Sequence, residues 1–311
     1  MSFAQQLKQE IYEARPMERE EQIAQAYGLL LFSKNFSKQA LSIQTEHEQT
    51  ARLFCDYIID LIGIKTSILY SEFEKKNGSV IYTAVVEADE DRINILHFFG
   101  HSPDEVNLRI NMQNIRSEKS LKAFISGAYL VCGNITDPRK NYHLEFVTPH
   151  MHLCKDLITL ISSVLDTPKL TQRRSAYIAY IKESEAIEDI MTYMGATNCS
   201  LQLMNVKIYK DVRNKVNRVT NCETANIEKT VAAAAAQLED INYIFDTRGI
   251  DFLSDDLREL AELRADNPEM SLRELGEALS TPLTRSGVNH RLKRLSKIAD
   301  ELRQKKSEKR R

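Results

Sequence analysis

One face of a helix near the C-terminus carries the side chains that could do chemistry. At about 100° per residue, a helix that begins near residue 284 places polar and cationic residues on one side: Ser286, Asn289, His290, Lys293, Arg294 and Lys297. An amide, an imidazole and three cations are the groups with which a recognition helix reads bases and contacts phosphates in a major groove. This face therefore predicts DNA binding.

The predicted site gives different roles to different positions of this helix. Base edges are assigned to Asn289 together with His290 or Arg294. Phosphates and flanking contacts are assigned to Arg285, Arg291, Lys293 and Lys297. Thr284 and Ser286 at the start of the helix complete the predicted set. Because Arg291 lies near the apolar edge of the helix, packing of its aliphatic stem is an alternative role.

The surrounding sequence predicts the scaffold that holds this face. The opposite side of the helix is apolar and consists of Val288, Leu292, Leu295, Ala299 and Leu302. Ahead of it, Ser271 and Glu274 have the capping-box spacing of a shorter helix, which Pro282 follows. A third helix, over residues 255–265, is expected to begin after Ser254 and to end before Pro268. The pattern indicates a three-helix domain that contains a helix-turn-helix.

The charge of the C-terminal segment supports this interpretation. Residues 281–311 contain eleven Lys or Arg and three Asp or Glu, a net charge of +8. The whole chain has a net charge of −2, so the preceding residues carry −10. A cationic segment gains affinity for DNA by releasing counterions from phosphates. The alternative, a solvated basic amphipathic helix, does not account for the capped helix and tight turn before it.

The composition indicates reduced cysteines and ordinary hydrophobic cores. The 311 residues are 42% apolar and 28% charged, which suits two or three globular domains. The five cysteines are scattered without a CxxC pair, which is typical of a reduced cytoplasmic setting. No apolar run approaches the ~20 residues of a membrane span, so no membrane partner is expected. His150, His152 and Cys154 are closely spaced but fall on a predicted helix, so no metal site is expected there.

The first two thirds of the chain contain one order of elements twice. The first copy is predicted as a helix at 18–33, a strand at 40–45, a helix to residue 61, strands at 65–70 and 79–87 with a turn near 76–78, and a helix at 89–99. The second copy is predicted as a helix at 117–132, a strand at 142–147, a helix from 149, a strand at 174–181 and a helix that Gly195 closes. Such a repeat predicts a pseudo-twofold module.

Two pairs of residues recur at matching places in the copies. Gly28 and Gly127 are 99 residues apart and lie inside helices, where glycine costs about 1 kcal/mol relative to alanine. Close packing of the two helices would offset that cost. Thr45 with Glu48, and Thr148 in the second copy, are predicted to cap the helix that follows each first strand.

Two short segments and one longer run resemble a known bacterial family. Two segments are similar to degenerate copies of the LAGLIDADG helix, which pairs the halves of homing endonucleases: QAYGLLLFSK (25–34) and FISGAYLVCG (124–133). Together with the helix-turn-helix and RNKVNRVTNCETANIEKT (213–230), they resemble the WhiA family of sporulation and cell-division regulators. The resemblance implies an α+β fold, in which a degenerate tandem, pseudo-twofold LAGLIDADG-like domain precedes an all-α helix-turn-helix domain similar to sigma-factor DNA-binding domains. It also implies roles in cell division, chromosome segregation and transcription regulation.

The sequence departs from the endonuclease pattern at the essential acid. In register with that motif, the position holds Ser33 in the first copy and Cys132 in the second. Neither residue is the hard oxygen ligand that Mg²⁺ demands, and cleavage needs carboxylates to hold the cation. Asp137 follows the second copy, but the first copy has no matching acid. We therefore expect no enzymatic activity and no cofactor; the alternatives are a residual DNA endonuclease and an adaptor that docks a division or transcription protein through the N-terminal module.

The predicted domains are two LAGLIDADG-like halves at 1–110 and 111–220, a linker helix at 221–250 and the helix-turn-helix domain at 251–311. Residues 206–209 are predicted as a last strand. Residues 211–225 contain three cations, and they either touch phosphates or form a polar linker helix. The alanine-rich residues 228–244 are interpreted as a scaffold helix. A cytoplasmic, nucleoid-associated monomer that binds double-stranded DNA is expected.

Overall fold

The computed structural model describes residues 1–64, 68–76 and 78–308. The chain forms two compact units, Met1–Asp211 and Val212–Arg311. Three parts of the sequence predictions lie outside the described residues: positions 65–67 of a predicted strand, Asn77 in a predicted turn, and positions 309–311 of the basic tail.

The first unit contains seven helices and eight strands among its described residues. The helices are α1 (Phe3–Glu13), α2 (Arg19–Leu31), α3 (Glu48–Tyr57), α4 (Asp89–Phe98), α5 (Glu118–Cys132), α6 (Met151–Ser162) and α7 (Ser184–Tyr193). The strands are β1 (Asn35–Phe36), β2 (Leu41–Thr45), β3 (Ile68–Glu74), β4 (Val80–Val86), β5 (Gly133–Ile135), β6 (Leu144–Thr148), β7 (Lys169–Arg173) and β8 (Ala176–Ile181). A π-helical turn (Ile58–Ile62) extends α3, and a 3₁₀ turn (Met112–Asn114) precedes α5. A further helix, α8 (Thr197–Arg248), begins in this unit.

The strands form two sheets with the same topology. The strand orders are β1-β2-β4-β3 and β5-β6-β8-β7, and every neighbouring pair is antiparallel. Helix α2 precedes the first sheet in the chain, and α5 precedes the second. A further helix, α3 in the first copy and α6 in the second, follows the second strand of each sheet. The repeat predicted from the sequence, and the α+β class, are confirmed. Strands β1, β5 and β7 were not predicted, and the strand predicted at 174–181 begins only at Ala176, because Arg174 lies in a turn with φ 57°.

Helices α2 and α5 pack against each other at the centre of the first unit. A Cβ atom added to Gly28 would lie 2.2 Å from the Phe124 carbonyl oxygen, and one added to Gly127 would lie 2.1 Å from the Gln25 carbonyl oxygen. Real Cβ atoms do not approach backbone atoms so closely, so the contact requires glycine at both places. The close approach predicted from the two glycines is confirmed.

A buried polar network crosses the same helix pair. The Gln25 side-chain amide donates to the Ser126 hydroxyl at 2.8 Å. The Tyr57 hydroxyl donates to the Gln25 amide oxygen. All three side chains are buried, and these hydrogen bonds satisfy polar groups that would otherwise destabilise the interface.

Two predicted helix caps are wrong for a shared reason. Thr45 and Thr148 are the last residues of β2 and β6, and their hydroxyls accept hydrogen bonds from the backbone N–H groups of His47 and His150 at 3.1 and 3.3 Å. The N-cap positions of α3 and α6 are therefore the histidines, without a side-chain capping bond. Each threonine stabilises the turn before its helix rather than the helix terminus.

The strand predicted at residues 206–209 is also wrong, because these residues lie inside α8. Val206, Ile208 and Tyr209 favour strands locally. Local propensity is a weak preference, however, and helical residues on both sides continue the helix through this segment. Both sheets of the unit already contain four strands without it.

The second unit is all-helical in its described residues. The C-terminal part of α8 is followed by a 3₁₀ turn (Ile250–Phe252), α9 (Asp255–Asp266), α10 (Leu272–Ala278) and α11 (Arg285–Glu308). Its core contains Leu257 and Leu260 of α9, Leu275 of α10, and Val288 and Leu292 of the predicted apolar face of α11. Ile241 and Ile244 of α8 complete this core. In the described part of the chain, no helix combines the length and the apolar character needed to cross a membrane.

Candidate nucleic-acid interface

The first helix of the helix-turn-helix, α10, begins with the predicted capping box. The Ser271 hydroxyl accepts a hydrogen bond from the backbone N–H of Glu274 at 3.3 Å, and the Glu274 carboxylate accepts one from the backbone N–H of Ser271 at 2.7 Å. Hydrogen bonding of the Glu274 carboxylate to Ser271, first to its backbone N–H and then to its side chain, lowers the pKa of the Glu274 carboxyl. The capping box predicted from the sequence is confirmed.

A close backbone contact sets the turn between α10 and α11. The backbone N–H of Leu283 donates to the Gly276 carbonyl oxygen at 2.9 Å. A Cβ atom at Gly276 would lie 2.3 Å from the Leu283 carbonyl oxygen. Glycine is therefore needed where the returning chain crosses α10, and this contact positions the start of α11.

Helix α11 presents its two predicted faces as expected. The Thr284 hydroxyl accepts a hydrogen bond from the backbone N–H of Gly287 at 3.2 Å, and the helix begins at Arg285. All five residues of the predicted apolar face are buried: Val288, Leu292, Leu295, Ala299 and Leu302. The packing predicted for this helix is confirmed.

The opposite face of α11 exposes most of the predicted DNA-binding residues. Seven of the nine are exposed: Thr284, Arg285, Ser286, His290, Lys293, Arg294 and Lys297. Asn289 and Arg291 are partly buried. Residues 284–299 contain no Asp or Glu, so this surface of the helix is cationic along four turns.

Arg291 and Arg294 contact an acid on α9. The guanidinium of Arg291 donates to the Asp256 carbonyl oxygen at 3.1 Å and lies 3.7 Å from its carboxylate, while that of Arg294 lies 3.8 Å from it. The Ser254 hydroxyl, which donates to this carboxylate at 2.6 Å, lowers the pKa of the Asp256 carboxyl, and the two arginines lower it further. Arg291 is therefore held against α9, which agrees with the alternative role as a packing residue.

A cleft beside the start of α11 adds cations that sequence reasoning missed. It has a volume of about 430 Å³, and its lining includes Lys229, Arg264, Arg273, Arg285 and Asn289. Only Arg285 and Asn289 were predicted as site residues. Arg264 had a sequence signal, because it continues the helical spacing of Leu257, Leu260 and Ala261, where a further apolar residue is expected.

Ser33 and Cys132, the two positions that the sequence resemblance sets in register with the endonuclease acids, carry no charge in the first unit. The Ser33 hydroxyl, just beyond α2, donates to the Leu30 carbonyl oxygen at 2.6 Å. Cys132 is the last residue of α5, and burial raises the pKa of its thiol to about 12. Asp137 lies in the loop after β5, where its carboxylate accepts a hydrogen bond from the Arg139 backbone N–H at 2.9 Å. At neutral pH, Ser33 and Cys132 therefore offer a hydroxyl and a neutral thiol.

The closely spaced His150, His152 and Cys154 diverge around the start of α6. Both histidines are exposed, whereas Cys154 is packed in the core of the first unit. Burial raises the pKa of the Cys154 thiol to about 11. The three side chains therefore occupy different environments, two at the surface and one in the core.

The outer faces of the two sheets differ in charge. In the first sheet, the antiparallel register places these uncharged side chains on the face opposite the core: Asn35, Ser42, Gln44, Leu69, Ser71, Phe73, Ile81, Thr83 and Val85. In the second sheet, the corresponding face includes Lys169 and Arg173. These two cations lie 3.1 Å from Glu183 and 3.9 Å from Glu145. Two further cations lie beside these faces: the Lys34 amino group donates to the Gln44 amide oxygen at 2.7 Å, and the Lys182 amino group lies 5.2 Å from the centre of the Tyr180 ring.

Comparison with known proteins gives relatives along the whole chain. A protein from Thermoanaerobacter pseudethanolicus named "Probable cell division protein WhiA" is 38% identical over 318 residues, covering 98% of this chain and 99% of the relative. A protein of the same name from Clostridium botulinum is 39% identical over 316 residues, with 98% and 99% covered. The chain belongs to the WhiA family. Family models place both parts of the molecule: the "WhiA LAGLIDADG-like domain" matches residues 121–213, and the "WhiA C-terminal HTH domain" matches residues 216–299.

A solved WhiA structure has the same fold. The crystal structure of full-length DUF199/WhiA from Thermatoga maritima matches with a TM-score of 0.57 and 22% identity, and it covers 97% of this chain and 99% of its own. The residues matched by the WhiA helix-turn-helix family model include all nine predicted DNA-binding positions, from Thr284 to Lys297. They also include the cleft residues Lys229, Arg264 and Arg273.

Proposed function

We propose that this protein binds double-stranded DNA through α11 and acts, without enzymatic activity, in cell division. The observation that carries the proposal is the exposed face of α11, which is cationic and lacks acids from residue 284 to 299. The names of the relatives support the assignment to cell division. A helix-turn-helix places such a face in the major groove, where amides and cations meet base edges and phosphates.

The proposed division of roles follows exposure and contacts. Asn289, with His290 or Arg294, hydrogen-bonds to base edges, because an amide matches the donor and acceptor pattern of adenine. Arg285, Lys293 and Lys297 are exposed and neutralise backbone phosphates. Arg291 is held by Asp256, so its first role is to orient α11 on α9.

The proposed loss of nuclease activity rests on Ser33 and Cys132. A hydroxyl and a neutral thiol at the ends of α2 and α5 do not replace the two carboxylates that hold a cation and activate water. The first unit then persists as a folded module without cleavage chemistry. Roles in transcription regulation, chromosome segregation and sporulation, and action as a nucleoid-associated cytoplasmic monomer, are part of the same proposal.

The experiment is a titration of labelled duplexes with the full-length protein, followed by fluorescence anisotropy across a salt series with and without Mg²⁺. Preferred duplexes come from selection on a random library. The slope of log K against log salt is expected to be steep, at about −0.9 per phosphate neutralised, and the duplex is expected to stay intact. Cleavage in Mg²⁺ would contradict the loss of activity, and absence of binding at low salt would contradict DNA recognition.

One substitution tests the reading role of α11 in the same assay. Asn289→Ala is expected to relax the sequence preference by about 1–3 kcal/mol at the contacted base pair, because its bidentate contact is lost. Lys293→Ala is the matched control, since loss of a phosphate contact weakens all duplexes alike. An unchanged preference in Asn289→Ala would show that another element reads the sequence.

A second candidate function, docking of a protein partner by the first unit, is favoured by the outer face of the first sheet. Leu69 and Phe73 on β3 are 52% and 66% exposed. The other side chains that the register assigns to this face are uncharged, and one cation lies beside it, the Lys34 amino group that donates to the Gln44 amide oxygen at 2.7 Å. Such a face suits an apolar protein surface better than phosphates. If it docks a division protein, Leu69→Ser with Phe73→Ser will release that protein from the purified complex while DNA binding is kept. Retention of the partner would contradict this role.

A further inference from the structure

Arg264 is a buried cation without a counter-charge. Its side chain is 2% exposed, its Nε donates to the Gln237 amide oxygen at 3.1 Å, and its Nη1 donates to the Met270 carbonyl oxygen. In the described part of the chain, no carboxylate oxygen lies within 4.0 Å of this guanidinium. Buried charges are normally paired, because removing them from water is unfavourable unless an opposite charge is near.

The cleft that Arg264 lines contains further cations and no acid. Lys229 and Arg285 have no ion-pair partner among the described residues, and Arg273 lies 2.9 Å from Glu277, which is outside the lining. The remaining lining residues are neutral: Thr230, Ala233, Gln237, Met270, Ser271, Leu272 and Asn289. Four cations around a volume of about 430 Å³ make this cleft a place where an anion is stabilised.

The position of the cleft identifies the source of the anion. It shares Arg285 and Asn289 with the exposed face of α11. A helix that lies in the major groove is flanked by the backbone of the DNA strands, so a duplex read by Asn289 brings phosphates to the start of α11. Lys229 on α8 and Arg273 on α10 would meet the same backbone from two other helices.

We propose that the cleft formed by Lys229, Arg264, Arg273 and Arg285 binds a backbone phosphate of the DNA, which supplies the missing counter-charge of Arg264. This inference rests on the proposed DNA binding and extends the interface to α8 and α10. The contact is independent of base sequence, so it contributes affinity and orientation of α11 rather than preference.

The test uses Lys229→Ala in the full-length protein. Lys229 lies on the exposed surface of α8, so its truncation leaves the core intact. The slope of log K against log salt is expected to become shallower by about 0.9, with the same loss of affinity for preferred and unrelated duplexes. Arg248→Ala is the matched control, because Arg248 lies on the same helix nineteen residues further along, about 28 Å away, and its slope is expected to equal that of the unsubstituted protein.

Two results would overturn the inference. One is a slope for Lys229→Ala equal to that of Arg248→Ala. The other is evidence that the ligand is a free anion. In that case inorganic phosphate, exchanged for chloride at constant ionic strength, would raise the melting temperature of the unsubstituted protein to a plateau, but not that of Lys229→Ala. The slope of log K against log salt for DNA binding would be the same in both proteins.

The binding measurements distinguish an incorrect cleft assignment from an incorrect proposed function. If the unsubstituted protein binds with a steep slope and Asn289→Ala loses preference while Lys229→Ala keeps the slope, the cleft assignment is wrong and recognition by α11 stands. If the unsubstituted protein does not bind duplex at low salt, the proposed function is wrong, and the cleft assignment falls with it.

Discussion

His47 is a buried ionisable side chain of the first unit. Its Nδ1 lies 2.8 Å from the Thr50 hydroxyl oxygen, and its Nε2 is buried without a hydrogen-bond partner among the described residues. Burial, followed by the nearby cation of Lys8, lowers the pKa of this imidazole to about 4. The folded state therefore holds His47 neutral over a range in which an unfolded chain would protonate it.

This pKa predicts a loss of stability on acidification. Since an unfolded histidine takes up its proton near pH 6.5 and the folded one near pH 4, the contribution of His47 to the free energy of unfolding is complete above pH 6.5 and is lost as the pH falls to 4. His47→Gln is expected to flatten this part of the profile, measured by urea unfolding between pH 4 and 7. His97→Gln, at an exposed position, is the control. Equal profiles in the two variants would contradict the assignment to His47.

Single residues were predicted from the sequence where their neighbours in the chain decide their environment. The capping pair Ser271 and Glu274 contact each other at three residues' separation, so spacing alone identified them. Arg264 was missed because its surroundings come from Gln237 and Met270, and only the fold brings these together. The sequence signal for such a buried cation is an arginine at a position of α9 where the helical spacing predicts an apolar residue.

At the scale of elements, most helices and strands of the repeat were predicted from the sequence, whereas the strands β1, β5 and β7 and the exact starts of several helices were not. The repeat was visible because buried helices and alternating strands have different periodicities. Thr45 and Thr148 match the capping pattern, but each ends a strand and bonds to the turn instead. Residues 206–209 have strand-forming side chains, and the surrounding helix α8 includes them. In these cases the conformation depends on the neighbouring strand or helix, and a pattern of a few residues carries no information about that element.

The turn between α10 and α11 predicts opposite effects for two glycines of the second unit. Gly276→Ala is expected to lower the free energy of unfolding by about 1–3 kcal/mol, because the new Cβ would meet the Leu283 carbonyl oxygen. Gly287→Ala is expected to raise it by up to about 1 kcal/mol, because alanine is the better helix former and its Cβ would lie 3.6 Å from Leu283. Denaturant titrations followed by circular dichroism distinguish them. A loss of stability in Gly287→Ala as large as in Gly276→Ala would contradict this account of the turn.

At the scale of the whole molecule, helix α8 contributes buried residues to two separate cores. Leu203 belongs to the core of the first unit, and Ile241 belongs to that of the second; both are fully buried. The sequence showed that residues 228–244 form a helix, but it did not show that one helix extends from Thr197 to Arg248.

Equivalent truncations on this helix are therefore expected to act on different units. Leu203→Ala and Ile241→Ala each remove buried methyl groups, at a cost of about 2–5 kcal/mol. Hydrogen exchange read by mass spectrometry is expected to show faster exchange of α2 and α5 in Leu203→Ala, and of α9 and α11 in Ile241→Ala. Faster exchange of all four helices in both variants would show that the units unfold together.

The close packing of α2 on α5 at Gly28 and Gly127 has a consequence for synthesis of the chain. The face of α2 that α5 covers is made 99 residues before its partner glycine. At about 5–20 residues per second, roughly 5–20 s pass before α5 is complete, and longer before it leaves the ribosome. During that time, the apolar side chains beside Gly28 are exposed to other nascent chains. We therefore expect chaperones to bind this exposed face of α2 while the first half of the chain is still attached to the ribosome.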